Sequence, residues 1–147
     1  MSKKITDKSQ KDVIDLAIKN QIKYKNSEPY PHMVFKNFFN KDFLNEVLEE
    51  FPDLSKSKYS MQYKNKNEVK FANNDKKNFE KNTKLLFQYL NSSKFLKFIE
   101  KISLIKEKIL ADQTLSGGGL HEIKKGGVLK VHTDFSKHPT KNLHRRI

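Results

Sequence analysis

The chain has 147 residues, the length of one domain, and only 35% of them are hydrophobic, with a mean hydropathy of −0.81. No run approaches the roughly 18 apolar residues of a membrane-spanning helix, and the absence of cysteine excludes disulfides and thiolate metal sites. The formal charge of +13 comes mostly from lysine, because only Arg145 and Arg146 are arginines.

The first predicted element is a helix from about Ser9 to Lys25. Apolar residues recur in it at helical spacing, so one stripe is expected to face the core. The residues of this stripe are Val13, Ile14, Ala17, Ile18 and Ile22.

Two prolines, Pro29 and Pro31, end this helix and favour extended backbone. We therefore predict a short strand near residues 30–36. Asn40 is a good N-cap for a second helix, which starts at Lys41 and is closed by Pro52.

The stretch from Ser55 to Lys84 is polar and rich in lysine, with scattered aromatic residues. Interleaved lysines and aromatic rings can form a stacking platform for single-stranded nucleic acid. No regular spacing aligns the rings, however, and we predict a solvated loop region. Apolar spacing then predicts helix from Phe79 to Ala111, broken into two near residues 91–94.

All five glycines lie between residues 117 and 127, and the run that follows, "VLKVHTDF", alternates apolar and polar residues from Leu129 onward. Alternation with period two predicts a strand. The fold class is therefore α+β, with a helical part over residues 1–112 and the start of a sheet over residues 113–147.

His132 and Asp134 are two residues apart on this predicted strand, so their side chains are expected to point to the same side. A neutral imidazole and a carboxylate suit a first-row divalent metal. Two histidines and one carboxylate form the facial triad of non-haem Fe(II) oxygenases. In isolation, a His-x-Asp pair arises often by chance in a chain with five histidines.

The context of the pair is more specific. The segment "LSGGGLHEIKKGGVLKVHTDFSKHPTKNLHRRI" resembles the Fe(II)- and 2-oxoglutarate-dependent dioxygenases related to prolyl 4-hydroxylase. In that family a strand and a glycine turn lead to a second strand that ends in His-x-Asp and an aromatic residue. A loop and a third strand with basic residues follow. The resemblance covers residues 115–147.

The resemblance implies that His132 and Asp134 are two of three iron ligands, and that 2-oxoglutarate and O₂ are cosubstrates in the intact family. It implies hydroxylation of a small-molecule or peptidyl substrate. The implied architecture is a double-stranded β-helix (jelly roll), of which about three strands are present. The substrate and the oligomeric state are not specified by the sequence.

The family also needs a second histidine ligand and a basic residue that binds the far carboxylate of 2-oxoglutarate, both further downstream. His138 and His144 lie too close to His132, whereas His121 and His32 are expected to be structural or supporting residues. Arg145 and Arg146 precede the family's anion-binding position. We therefore expect an N-terminal fragment of a longer dioxygenase, inactive alone, whose remaining ligand lies beyond Ile147.

Two other functions stay open. The lysine excess is compatible with a basic nucleic-acid-binding protein, although lysine, asparagine, isoleucine and phenylalanine are also what an AT-rich genome favours, and no nucleic acid is expected as partner. The sheet could also serve as a non-catalytic interaction module. Without an apolar leader or cysteine, the sequence suits a cytoplasmic protein with no membrane partner.

Overall fold

The computed structural model describes residues 4–146 and has an α+β fold, as predicted. Within these residues it contains four α-helices and a four-stranded antiparallel sheet. The helices are α1 (Gln10–Lys25), α2 (Lys41–Glu49), α3 (Lys81–Leu90) and α4 (Ser93–Ser103), with a short 3₁₀ helix at Lys76–Asn78. The strands are β1 (Met61–Lys64), β2 (Glu68–Asn73), β3 (Leu120–Glu122) and β4 (Val128–Leu129).

The chain divides into two compact units that are interleaved along the sequence. A helical unit consists of the described residues up to Glu50 together with Glu80–Ala111. A sheet unit consists of Phe51–Phe79 and the described residues from Asp112 onward. The segment predicted to be a solvated loop thus supplies β1 and β2, and that prediction was wrong. Both strands are short, and β2 also pairs with β3 and β4, which lie much later in the chain.

Helix α1 begins as predicted, with a capping box at Ser9. The Ser9 hydroxyl accepts from the Asp12 backbone N–H, and the Asp12 carboxylate accepts from the Ser9 N–H. The buried stripe differs from the prediction. Val13 and Ala17 are buried, but Ile18 and Ile22 are 50% and 68% exposed, because the side of the helix that packs against α4 is the one with Val13 and Ala17.

The core of the helical unit joins α1, α4 and the segment before α2. Its buried residues are Val13, Ala17, Phe38, Phe98 and Ile102. Phe38 contacts Phe98 and Phe95 with ring centroids 5.1 and 6.1 Å apart. Tilted and edge-to-face aromatic pairs of this kind contribute about 0.5–1.5 kcal/mol each beyond the area they bury.

The chain between α1 and α2 contains no strand, so the strand predicted near residues 30–36 was wrong. Residues 32–35 have no regular secondary structure and pair with no neighbouring strand. Helix α2 follows as predicted, and the Asn40 side chain accepts from the Phe43 N–H. Helix α4 ends at Ser103, where Leu104 adopts a left-handed conformation (φ 58°), so the helix does not reach Ala111 as predicted.

The N-terminus of α3 is capped by a residue from another helix end. The nominal cap, Glu80, accepts no side-chain hydrogen bond. Instead the Glu50 carboxylate accepts from the backbone N–H groups of Asn82 and Thr83, at 2.8 and 2.9 Å. Burial raises the pKa of Glu50, but these bonds outweigh it and hold the pKa below its usual value. Glu50 therefore connects the end of α2 to the start of α3.

The sheet unit is organised around β2. β1 pairs with β2 as an antiparallel hairpin, with Tyr63 opposite Lys70. β3 and β4 both pair with the other side of β2, with Leu120 opposite Asn73 and Leu129 opposite Glu68. β3 and β4 are thus two parts of one line along β2, interrupted by the glycine-containing residues 123–127.

Candidate metal centre

The candidate site follows β4 directly. The strand was predicted to run to Phe135 but ends at Leu129, because β2 begins at Glu68 and offers no further partner. The Lys130 N–H still donates to the Asn67 carbonyl, at 3.0 Å. From residue 131 to residue 136 the backbone is irregular, and Val131 is fully exposed.

His132 and Asp134 lie side by side even though no strand aligns them. Nε2 of His132 is 3.5 Å from Oδ1 of Asp134, and the two side chains are about half exposed. Nδ1 of His132 is 2.7 Å from the Lys130 carbonyl oxygen. Because a carbonyl only accepts, Nδ1 is the donor in this contact, and Nε2 is the nitrogen that a neutral ring would offer to a metal ion.

Arg145 contacts the other side of the same carboxylate. Its Nη1 forms an ion pair with Oδ2 of Asp134 at 3.2 Å, and its guanidinium lies over the Phe135 ring, 5.1 Å from the centroid. The chain turns back on itself after Ser136, and this places Arg145 beside Asp134. The Arg145 N–H donates to the Ser136 carbonyl at 2.7 Å, and Lys137 and His144 form an isolated antiparallel bridge.

Glu68 is the acidic residue of the sheet nearest in register to the pair. The hydrogen bond from Lys70 lowers the pKa of Glu68; burial opposes this, and a hydrogen bond from Asn65 and the charge of Lys70 lower it further. The Lys70 ammonium is 2.9 Å from the Glu68 carboxylate. Glu68 is therefore neutralised by lysine. Across residues 4–146, no third His, Cys, Asp or Glu joins the pair to form a metal-binding group.

The other histidines lie in different environments. Nδ1 of His138 accepts from the N–H groups of Thr140 and Lys141, so its proton is on Nε2, 3.5 Å from Asp112. Nε2 of His121 contacts the Gly118 carbonyl at 3.3 Å. His144 lies in the isolated bridge. His32, in the helical unit, has its Nδ1 2.9 Å from the Tyr30 carbonyl.

The residues present fit two positions of a metal site. Donor atoms each about 2.1 Å from one ion lie within roughly 4.2 Å of each other, and the His132–Asp134 distance of 3.5 Å satisfies this limit. The Lys130 carbonyl supplies the hydrogen bond that a metal-binding histidine ordinarily makes through its other nitrogen. The donor set, one imidazole and one carboxylate, suits a first-row divalent ion.

The sequence indicated the His132–Asp134 pair but not the ion pair between Arg145 and Asp134. Arg145 lies eleven residues after Asp134, beyond a turn, and no local periodicity connects the two. A pattern of Asp, aromatic residue and later arginine is too common to predict an ion pair. The contact depends on the return of the chain at residues 136–145.

No helix among residues 4–146 combines the length and the apolar character needed to cross a membrane. Comparison of the chain with protein-family models, with curated proteins and with solved structures finds no significant match.

Proposed function

We propose that this chain carries two iron ligands of an Fe(II)- and 2-oxoglutarate-dependent oxygenase related to prolyl 4-hydroxylase. One observation supports the proposal most: Nδ1 of His132 donates to the Lys130 carbonyl, and its Nε2 lies 3.5 Å from Oδ1 of Asp134. The substrate would be a small molecule or a peptidyl side chain that is hydroxylated at a C–H bond.

The proposed roles of the residues follow from their contacts. His132 would bind the ion through Nε2, while its Nδ1–H stays bonded to the Lys130 carbonyl. Asp134 would supply Oδ1 and neutralise part of the positive charge. Bound iron, with 2-oxoglutarate and O₂, supplies the oxidising chemistry, and the cosubstrate leaves as succinate and CO₂.

The proposal extends to the architecture. We propose that β3 and β4 are the first strands of a double-stranded β-helix. The antiparallel pairing of both strands with β2, and the position of the metal pair just after β4, support this. With two donors within the described residues, we expect weak metal binding and no turnover by this chain alone.

Metal binding can be tested on the whole chain by NMR. Mn²⁺ is a suitable probe because it is paramagnetic, stable in air, and accepts the same imidazole and carboxylate ligands. Substoichiometric Mn²⁺ is expected to broaden amide signals around residues 130–136 first. His132→Ala and Asp134→Ala should each abolish this local broadening while leaving the rest of the spectrum unchanged.

His32→Ala is the matched control. His32 also has Nδ1 on the carbonyl two residues earlier, but within residues 4–146 it forms no ion pair with a carboxylate. The control should leave broadening at residues 130–136 intact. Broadening spread over exposed carboxylates, or unchanged in His132→Ala, would refute the metal site and with it the proposed function.

A further inference from the structure

The two carboxylate oxygens of Asp134 have different partners. Oδ1 is the atom near His132, at 3.5 Å, and Oδ2 is the atom paired with Arg145, at 3.2 Å. An exposed aspartate on irregular backbone otherwise has several rotamers of similar energy. The pairing with Arg145 selects the orientation in which one oxygen is left for the side of His132.

Arg145 is itself held in place. Its guanidinium lies over the Phe135 ring, a cation–π contact worth about 0.5–1 kcal/mol at an exposed site. Gly117 packs behind this pair: a Cβ built there would lie 2.5 Å from the Phe135 ring and 3.2 Å from Nη1 of Arg145. The Arg145 side chain is only 32% exposed. These contacts fix the guanidinium before any ligand binds.

We infer that Arg145 is a positioning residue for the candidate metal site: it holds Oδ2 of Asp134 so that Oδ1 faces the ion. The inference rests on the proposed function. A purely electrostatic role would have the opposite effect, because a cation beside the site repels a divalent ion and its removal would strengthen binding. The sign of the change in affinity therefore distinguishes the two roles.

The test compares Mn²⁺ affinity, from the EPR signal of the free ion, in the wild-type chain and in Arg145→Gln. We expect binding to weaken by about 10- to 100-fold, the usual effect of removing a residue that orients a metal ligand. Arg145→Lys should recover part of the affinity, since it keeps the charge but not the planar contact with Phe135. Lys137→Gln changes the net charge equally and should have little effect.

A second readout needs no metal. NMR couplings that report χ1 of Asp134 should indicate one dominant rotamer in the wild type and averaging in Arg145→Gln. Unchanged or tighter Mn²⁺ binding in Arg145→Gln, or rotamer averaging already in the wild type, would overturn the role of Arg145. A third outcome is a single Asp134 rotamer in the wild-type chain without Mn²⁺ binding at residues 130–136. The proposed function would then fail. Arg145 would still order the carboxylate, but not for a metal ion, and the inference as stated would be overturned.

Discussion

At the scale of single residues, the backbone decides which histidine can bind a metal. His132 donates from Nδ1 to a carbonyl, so Nε2, 3.5 Å from Asp134, is the nitrogen that its neutral ring would offer to a metal. His138 lies as close to a carboxylate, Asp112, but accepts two backbone N–H groups at Nδ1. Its Nε2 must then carry the proton. The same pair of residue types forms a candidate ligand pair in one case and a structural contact in the other.

Asp112 makes a prediction about acid stability. Burial raises its pKa, but hydrogen bonds from Thr114 and Ser116, together with the His138 ring 3.5 Å away, outweigh this and lower the pKa well below its usual range. A lowered pKa means stability that is present above the unfolded value of about 3.9 and is lost as pH falls. The free energy of unfolding of the wild type should therefore exceed that of Asp112→Asn at pH 6 and approach it towards pH 3.

Urea denaturation at several pH values measures this difference. The carboxylate of Asp112 accepts hydrogen bonds from several donors, such as the Ser116 N–H at 2.7 Å. In Asp112→Asn the side-chain NH₂ group faces one of these donors and cannot accept from it. Asp15→Asn, on the exposed side of α1, is the control and should show a much smaller pH-dependent difference. An Asp112→Asn difference that stays constant from pH 6 to pH 3 would contradict the account.

Gly119 makes a second residue-scale prediction. It has φ of +106°, and a Cβ there would collide with the carbonyl oxygen of Asn73. Gly119→Ala should therefore cost more than the roughly 1–2 kcal/mol of a left-handed residue alone. Gly126→Ala is the matched control, because Gly126 also has positive φ (+81°) but has nothing within 4 Å of its Cβ position. Equal losses in thermal unfolding would contradict the steric explanation.

At the scale of elements, Glu50 connects two helices through one carboxylate. Asn82 and Thr83 are almost fully buried, and their backbone N–H groups have no partner within the helix. Glu50 satisfies both. Glu50 lies 32 and 33 residues before Asn82 and Thr83, so no local sequence pattern indicates this contact.

Glu50→Ala should destabilise the chain by about 1–3 kcal/mol, because it leaves buried N–H groups unsatisfied. Glu50→Gln should cost less, since the amide oxygen still accepts. Glu80→Ala, at the nominal cap, should change stability by no more than about 0.5 kcal/mol. Urea denaturation gives all three values, and a loss from Glu80→Ala equal to that from Glu50→Ala would contradict the assignment.

The elements that the sequence predicted well have local signals. α1 begins next to Ser9 and Asn40 caps α2, both as predicted, and the break before α4 lies at Ser92. The strands were harder. β1 and β2 are short, and β2 also pairs with β3 and β4, some fifty residues later in the chain. The length of β4 is likewise set by where β2 begins, which no window around Leu129 can indicate.

At the scale of the whole molecule, the net charge of +13 predicts non-specific attraction to polyanions. Binding to a single-stranded oligothymidine, measured by fluorescence anisotropy, should weaken steeply between about 50 and 200 mM salt, because it releases counterions. Binding that persists above that range would contradict the compositional explanation of the charge and favour a nucleic-acid-binding function.

The candidate site was partly predictable from the sequence. The sequence places His132 and Asp134 two residues apart, and their proximity survives the loss of the predicted strand. The proton position on His132 and the contact of Arg145 could not be predicted, because both depend on backbone geometry after β4. The pattern thus indicated the pair, and the fold supplies the groups that contact it.

The central claim is that His132 and Asp134 bind one divalent ion together. A double-mutant cycle tests it most directly, with Mn²⁺ affinity measured for the wild type, His132→Ala, Asp134→Ala and the double variant. If both side chains bind the same ion, each single variant should lose nearly as much affinity as the double variant, with a coupling free energy of about 0.5–3 kcal/mol. Independent, additive losses, or affinity unchanged by either substitution, would contradict the account.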